Sequence, residues 1–377
     1  MDGVENKGDS LMNTVDNELK KNGIQVVGPI DNRSVKDIAI YVARTLCYKF
    51  PDLKLNFNTL FISITRLKMY IADMTENMSG ACYFYKNASI YFQKGLSLNQ
   101  IKKIAVHECI HYFQEIKDSS GKLHRMGLCT YFGNRAYGNA LNEAAVQLMS
   151  AYATGERRDT VTYYGITLPT DSPSYYPLLC NLVKQIGYLT GFSVLFESTF
   201  YSNDAFFDKF KNALGESNAY AIQRNMEKLL SLESRIVKIN NKIQTKELPY
   251  YQFKSATDKI ARCKNDIQRT FLSTQSLIIS AFFDSRLSKL ETPTQIENYR
   301  KYLYSFSNLI GTTSTYSFFN DYYIRKMAAL DAIYENRADE NVGLVPVKES
   351  KLSKVFGFIK KLFNGNKEYQ SEQNINK

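Results

Sequence analysis

Residues 107–111, His-Glu-Cys-Ile-His, constrain this chain more than any other stretch, because two of its only three histidines lie there. On a helix, residues four positions apart lie on one face, one turn above the other. Two imidazole nitrogens at that spacing can bind one metal ion, and Glu108 between them can take a proton from a metal-bound water. The H-E-x-x-H pattern therefore predicts a Zn2+ site formed by His107 and His111, with Glu108 as the general base.

The sequence predicts that this motif lies on a buried helix. Residues 97–100, Ser-Leu-Asn-Gln, match a capping box, which is typical of a helix start. Apolar side chains then surround the helix almost completely; they are Ile101, Ile104, Ala105, Val106, Ile110, Tyr112, Phe113 and Ile116. Such a helix has no solvent-exposed face, and its buried histidines and glutamate need partners that a metal ion supplies. Cys109, between them, is expected to be an inert buried thiol.

A catalytic zinc ion also needs a third protein ligand and an open position for water. The extended metzincin motif would place glycine at position 114 and histidine at position 117, where this chain has Gln114 and Lys117. That class is therefore excluded. Two candidates for the third ligand remain, namely His124 in a predicted loop and Glu143 near the start of the next predicted helix.

Residues 138–144, Gly-Asn-Ala-Leu-Asn-Glu-Ala, resemble the segment that carries the third zinc ligand in thermolysin-like gluzincin metallopeptidases. The resemblance covers only this segment and the H-E-x-x-H motif. It implies that His107, His111 and Glu143 bind zinc and that Glu108 is the base, and it favours Glu143 as the third ligand. A solvated carboxylate in the first turn of a helix is the alternative interpretation of Glu143.

Two departures from the family pattern concern residues around the metal. The family places an aspartate four residues after the ligand glutamate, where it orients a ligand histidine; this chain has Gln147 there, a weaker acceptor. The family also uses a late histidine to stabilise the transition state, but no histidine follows position 124. Tyr137, Tyr131 and Arg135 are the nearest substitutes, and we take Tyr137 as the candidate. Packing or surface roles for these three stay open.

The remaining pattern predicts an α+β, predominantly helical fold, with a small zincin-like β-sheet and metal-binding helices followed by an all-α helical domain. Ser34 is predicted to begin the first helix, which ends before Pro51, and residues 59–74 fit either a strand or a helix. The pattern of residues 81–92 predicts a hairpin. This hairpin either packs as part of the core or forms a sheet edge that pairs with a substrate strand. Residues 118–138 predict a loop.

The sequence pattern of the second half of the chain predicts helices over nearly its whole length. A polar connection leads to a helix at 178–189, another helix starts after Asn203, and two long helices follow at 219–245 and 253–290. The last helices are predicted at 292–311, with a proline in its first turn, and at about 314–336. The predicted segments are a disordered tail (1–23), a zincin-like catalytic domain (24–215), a helical domain (216–336), a linker (337–350), a basic amphipathic helix (351–364) and a disordered tail (365–377).

Composition limits the partners and the location of the protein. The formal net charge of +11 is spread out without a basic stripe of stacking aromatics, so we expect no nucleic acid. No apolar run approaches the roughly 18 residues of a membrane span, and the N-terminus lacks a signal peptide, so a cytoplasmic location is expected. The basic amphipathic pattern of residues 351–363 favours equally an anionic membrane surface, which would make the protein peripheral, and docking onto the helical domain.

Together these patterns predict a zinc-dependent metallopeptidase that acts on a peptide or protein substrate. Two alternatives remain open. The same residues activate water for any acyl substrate, and a zinc site without catalysis would make the protein a binding or membrane-surface module. The missing late histidine supports the second alternative, and the sequence does not indicate the oligomeric state.

Overall fold

The computed structural model describes residues 15, 17–74, 80–133, 135–156, 159–245, 249–311 and 318–340, without the side chains of 245 and 336–340. The predominantly helical α+β class is confirmed. The amphipathic segment 351–364, the tail 365–377 and most of the linker lie outside the described residues. Residues 17–21 are helical although disorder was predicted up to residue 23, and the last helix includes residues 337–340 of the predicted linker.

Helices and strands are interspersed up to residue 170, and the described elements after that point are helices. The helices are α1 (Asn32–Lys49), α2 (Phe57–Thr65), α3 (Leu98–Phe113), α4 (Asn139–Thr154), α5 (Pro177–Thr190), α6 (Phe192–Tyr201), α7 (Ala205–Leu214), α8 (Glu216–Thr245), α9 (Tyr250–Leu287), α10 (Pro293–Phe306) and α11 (Phe318–Glu340). The strands are β1 (Gln25–Pro29), β2 (Lys68–Asp73), β3 (Ala81–Phe84), β4 (Ser89–Gln93), β5 (Glu115–Lys117), β6 (Leu123–Met126), β7 (Cys129–Phe132), β8 (Arg135–Tyr137), β9 (Asp159–Tyr163) and β10 (Ile166–Thr170).

A mixed four-stranded sheet with the order β1-β2-β4-β3 lies beside the helix that carries the histidine motif. The predicted hairpin at 81–92 is confirmed as the antiparallel pair β3–β4, and β3 is an edge strand. The ambiguous stretch 59–74 contains both structures, helix α2 followed by strand β2. The first helix begins earlier than predicted, because the carboxylate of Asp31, rather than Ser34, accepts the backbone N–H groups of Arg33 and Ser34.

The predicted loop at 118–138 is wrong, since this segment forms most of an antiparallel sheet with the order β5-β6-β7-β8. Its strands are only three or four residues long. The β6–β7 turn contains Gly127 with a φ of +58°, a conformation that favours glycine. The polar connection before α5 likewise contains a hairpin, β9–β10, and helix α6 was not predicted.

Two apolar cores meet at helix α4. The larger core contains Ala144 and Leu148 of α4 together with side chains of α5 to α11. The other core contains Val146 and Met149 of α4, together with α1, α2, the first sheet and α3. The larger core continues across the boundary predicted at residues 215/216, and that boundary stays a prediction.

Local helix signals in the second half agree with the structure. Thr292 and Gln295 form the predicted capping box of α10, with Pro293 in its first turn. Among the described residues no single helix has the length and apolar character to cross a membrane, whereas the sharply bent pair α5 and α6 passes that test jointly. The buried apolar side chains of α5, and Leu195 of α6, belong to the larger apolar core described above.

Candidate metal centre

Helix α3 presents the two motif histidines to one point. Its start is confirmed as a capping box, in which Ser97 N donates to Gln100 Oε1 at 2.9 Å and Gln100 N donates to Ser97 Oγ at 3.4 Å. His107 and His111 lie one turn apart, with their Nε2 atoms 3.0 Å from each other. Cys109 is fully buried, and burial raises the pKa of its thiol, as expected for an inert cysteine.

Helix α4 brings a carboxylate to the same point. Glu143 Oε1 lies 3.5 Å from His111 Nε2, and Glu143 Oε2 lies 3.7 Å from His107 Nε2. One ligand atom from each of the three side chains lies within 4.8 Å of the others. These residues therefore form a group able to hold a metal ion. His124, the other candidate, is exposed on β6 and is not part of this group.

The charges of His111 and Glu143 depend on each other. Burial alone disfavours the charged form of either group. Burial is the largest single influence on each group, but the opposite charge and the hydrogen bonds around each group together outweigh it, so the pKa of His111 is raised and the pKa of Glu143 is lowered. Without a metal ion, a proton on His111 stabilises this cluster, and a metal ion must displace that proton to bind the imidazole.

The hydrogen-bond partner of His111 is Gln114, whereas Gln147 was expected to orient one of the two motif histidines. His111 Nδ1 lies 3.1 Å from Gln114 Oε1, in a buried position where α3 ends. Gln147 instead donates to Ser172 Oγ at 2.9 Å. In the described part of the chain, Nδ1 of His107 has no hydrogen-bond partner although it is buried. The expectation for Gln147 is wrong because its side chain points towards the segment before α5.

Gln114 is itself fixed by other buried groups. Its Nε2 donates to Asn142 Oδ1 at 3.2 Å and to the carbonyl oxygen of Thr199 at 2.7 Å. Asn142 also accepts the backbone N–H of Leu128 at 3.0 Å, which joins α4 to the second sheet. Sequence reasoning used Gln114 only to exclude a class of enzyme; its position one turn after His111 was the available signal.

The edge strand β3 orients Glu108. The backbone N–H of Tyr83 donates to Glu108 Oε2 at 2.6 Å, and the glutamate is only 7% exposed. This N–H belongs to an edge strand and points away from β4, towards α3. One carboxylate oxygen of Glu108 is therefore fixed by the backbone, next in the chain to His107.

The candidates for the transition-state donor lie in different places. Tyr137 is 50% exposed and lines a cavity of about 670 Å³ that is lined by no residue of the metal group. Arg135 is exposed on β8. Tyr131 is partly buried, and the pKa of its hydroxyl is raised by burial first and also by the negative charges of its neighbours, Glu143 among them. Tyr137 and Arg135 are thus surface groups, whereas Tyr131 lies near the cluster.

Sequence reasoning missed Tyr176, whose hydroxyl lies close enough to Glu143 and Glu108 for their charges to act on it. The pKa of its hydroxyl is raised well above the usual value by burial first, and then by the charges of Glu143, Glu108 and Glu233. The residue precedes Pro177 at the start of α5 and has a φ of +49°, a strained conformation for a non-glycine residue. The only local signal was its place immediately before a proline that begins a helix.

No family model matches this sequence, and comparisons with curated proteins and with solved structures found no match either. The relation to thermolysin-like gluzincins therefore stays a prediction from two short motifs.

Proposed function

We propose that this protein is a zinc-dependent metallopeptidase with His107, His111 and Glu143 as ligands and Glu108 as the general base. The convergence of the three ligand atoms carries the proposal. Atoms bound about 2.1 Å from a tetrahedral zinc ion lie about 3.4 Å apart. The nitrogen–nitrogen distance of 3.0 Å and the nitrogen–oxygen distances of 3.5 and 3.7 Å fit such a site.

The chemistry of the donor set also favours zinc. Two imidazole nitrogens and one carboxylate oxygen are the ligands of many catalytic zinc sites, which keep a fourth position open. When bound, zinc supplies a Lewis acid that polarises the scissile carbonyl group and makes water more acidic. Gln114 accepts a hydrogen bond from His111 Nδ1, which directs the Nε2 lone pair of that ring towards the cluster.

The residues of the chain then divide the proton transfers between them. Glu108, held by the N–H of Tyr83, takes a proton from the attacking water and later delivers it to the leaving amine. The hydroxyl of Tyr176 is protonated near neutral pH, as that of any tyrosine with the usual pKa of about 10 is, and we assign it as the donor of a hydrogen bond to the oxyanion that develops on the substrate. In this proposal Tyr176 takes the role for which the sequence suggested Tyr137.

The edge position of β3 supports a peptide as the substrate. Strand β3 pairs with β4 on one side only, and its other edge faces α3, where Tyr83 contacts Glu108. The N–H of Tyr83 is taken by Glu108, and a peptide that pairs with the rest of this edge by backbone hydrogen bonds would present its scissile bond close to the general base. A non-peptide acyl substrate would make no use of a strand edge.

The test combines zinc content with the cleavage of a peptide library by wild type and three variants. We expect about one zinc ion per chain and cleavage by the wild type, and Glu108→Gln should retain zinc but lose about 10²-fold or more of the activity. Glutamine still accepts the N–H of Tyr83, so this variant changes the base without releasing the strand. His107→Ala and Glu143→Ala should both lose zinc.

Other outcomes distinguish the alternatives. Stoichiometric zinc without cleavage of any peptide would reject the peptidase and favour a non-catalytic site. Cleavage of simple esters alone would favour an acyl hydrolase. Retention of zinc by Glu143→Ala, with loss in His107→Ala, would reject Glu143 as a ligand.

A further inference from the structure

Helices α8 and α9 form a hairpin whose far end projects beyond the larger apolar core. The two helices pack against each other, and only residues 246–249 separate them in the chain. Ile236 of α8 and Cys263 of α9 are the buried side chains closest to this end. None of the described side chains at 237–244 and 249–262, which we call the hairpin tip, is buried. At about 1.5 Å per residue, about 14 Å of α8 and about 20 Å of α9 extend past the core.

Three aromatic side chains are exposed together in the hairpin tip, at the start of α9. The exposed fractions are 79% for Tyr250, 69% for Tyr251 and 45% for Phe253. In the described part of the chain, no other four consecutive positions contain three exposed aromatic side chains. Apolar side chains that are exposed singly are normal on a protein surface, whereas a cluster of them marks a binding surface. The hairpin tip therefore has the character of an interaction surface.

Basic side chains accompany these aromatic rings. Residues 237–262 contain six lysine and arginine residues against two acids, Glu247 and Asp258. Lys242 and Lys254 are exposed, and each lies within about 6 Å of the end of its helix, measured along the helix axis. Sequence reasoning took the positive charge of the chain to be spread out, whereas it is dense here. The surface is thus both aromatic and cationic, so its partner is negatively charged.

The shape of the hairpin tip and its residue types favour a lipid surface as that partner. Tyrosine is enriched where a membrane meets water, because its ring is apolar and its hydroxyl group is polar. Lysines beside it are attracted to anionic headgroups, and their long stems reach along the surface. Single-stranded nucleic acid is bound instead in a groove where bases stack on aromatic side chains. The projecting end of two helices forms no such groove.

We propose that the hairpin tip inserts its aromatic side chains into the headgroup region of an anionic membrane, while its lysines contact the lipid phosphates. The proposal depends neither on a metal ion nor on peptidase activity. It is also separate from the membrane attachment considered for residues 351–363, which lie outside the described residues.

The first test uses the absence of tryptophan from the chain, which makes one introduced tryptophan a reporter of one position. Full-length Tyr250→Trp is compared with Tyr48→Trp, since both tyrosines are 79% exposed and Tyr48 lies on α1, which packs in the other core. The vesicles contain phosphatidylcholine and about one third phosphatidylglycerol, with bromine on the acyl chains near the headgroup. The emission of Tyr250→Trp should shift to shorter wavelength and be quenched, and that of Tyr48→Trp should do neither.

Other results of this test would overturn the proposal. If Tyr250→Trp is not quenched although the protein sediments with the vesicles, another segment, such as residues 351–363, makes the contact. Equal quenching of Tyr48→Trp would show that insertion is not specific to the hairpin tip. A shift without vesicles that grows with protein concentration would identify a second copy as the partner. A shift with single-stranded RNA, and none with vesicles, would identify nucleic acid.

The second test measures the contribution of the basic side chains in the Tyr250→Trp protein. Lys242→Gln together with Lys254→Gln should raise the lipid concentration for half-maximal quenching by at least about tenfold. Lys36→Gln together with Lys301→Gln, the same charge change at exposed positions of α1 and α10, is the matched control and should leave this concentration unchanged. Glutamine is a good helix former, so we expect both double variants to fold. Equal effects of the two pairs would overturn the proposal, because binding would then follow the total charge of the protein.

Discussion

The Nδ1 atom of His111 lies 3.1 Å from Oε1 of Gln114, so a fully buried amide fixes the ring of a candidate metal ligand. The amide nitrogen already donates to Asn142 and to the carbonyl of Thr199. Gln114 Oε1 is therefore the acceptor, and His111 Nδ1 is the donor. This tautomer leaves the Nε2 lone pair directed at the metal cluster.

Gln114→Met is expected to weaken zinc binding by about 10- to 100-fold, because it removes the acceptor that orients His111. Competition with a chromophoric chelator measures the affinity. Gln147→Met is the matched control, since that amide contacts Ser172 and no ligand histidine, and its affinity should equal that of the wild type. Equal losses in both variants would contradict the role given to Gln114.

Gly127→Ala should destabilise the fold and weaken zinc binding. A Cβ at this position would overlap the side chains of Asn142 and Gln114, and the φ of +58° adds strain. Gly133→Ala is the control, since its φ is +59° but nothing lies within 4 Å of the added carbon. We expect a loss of about 1–2 kcal/mol for Gly133→Ala and a larger loss for Gly127→Ala, measured by denaturant unfolding. Similar losses of stability in the two variants would show that the side chains of Asn142 and Gln114 move aside easily for the added carbon.

Tyr176→Phe is expected to lower kcat by about 10²-fold with little change in KM or zinc content, because the hydroxyl acts on the transition state in the proposed mechanism. Tyr137→Phe should leave kcat unchanged, since that residue is half exposed and lines another cavity. Steady-state kinetics on one peptide compares the two variants. The opposite result, with kcat lowered only in Tyr137→Phe, would support the candidate drawn from the sequence.

The folding stability of the metal-free protein should depend on pH through His111 and Glu143. Burial opposes both charges, but their attraction raises the pKa of His111 and lowers that of Glu143. The histidine contribution is complete below its unfolded pKa of about 6.5 and is lost as pH rises through the folded pKa. The glutamate contribution is present above its unfolded pKa of about 4.3 and is lost as pH falls through the folded pKa. The pair therefore stabilises the metal-free protein most between these two values.

In the proposed site a zinc ion would replace the proton on His111, so its stabilising effect should grow from about pH 6 to about pH 8. Thermal unfolding with and without one equivalent of zinc measures this difference in Tm. His124 is the remaining histidine and is exposed, so His124→Gln should leave the profile unchanged. A zinc-induced shift in Tm that is constant across this range would contradict the coupling between His111 and Glu143.

Local signals in the sequence predicted helix α3, which carries the motif, the β3–β4 hairpin before it and helix α4 after it. Ser97 and Gln100 cap α3 as expected, and the segment around Glu143 forms the start of α4. These predictions succeeded because capping and helical spacing act over only a few residues. They also determine which side chains of α3 and α4 are available to a metal ion.

The second sheet was not predicted, because tertiary contacts stabilise its short strands. Arg125 of β6 pairs with Asp204 at 2.7 Å, and the hydroxyl of Ser202 accepts the backbone N–H of Gly127 at 2.7 Å. Both partners lie far along the chain, at the ends of α6 and α7. The placement of Tyr176 where the charges of Glu143 and Glu108 act on its hydroxyl likewise depends on how α5 packs, which no local pattern shows.

Helix α4, which carries Glu143, packs in both apolar cores. Ala144 and Leu148 belong to the larger core, whereas Val146 and Met149 belong to the core that also contains Ala105 and Ile110 of α3. A metal ion bound between His111 and Glu143 would therefore brace α3 against the helix that the two cores share. We expect its removal to loosen this shared helix and to lower the cooperativity of unfolding.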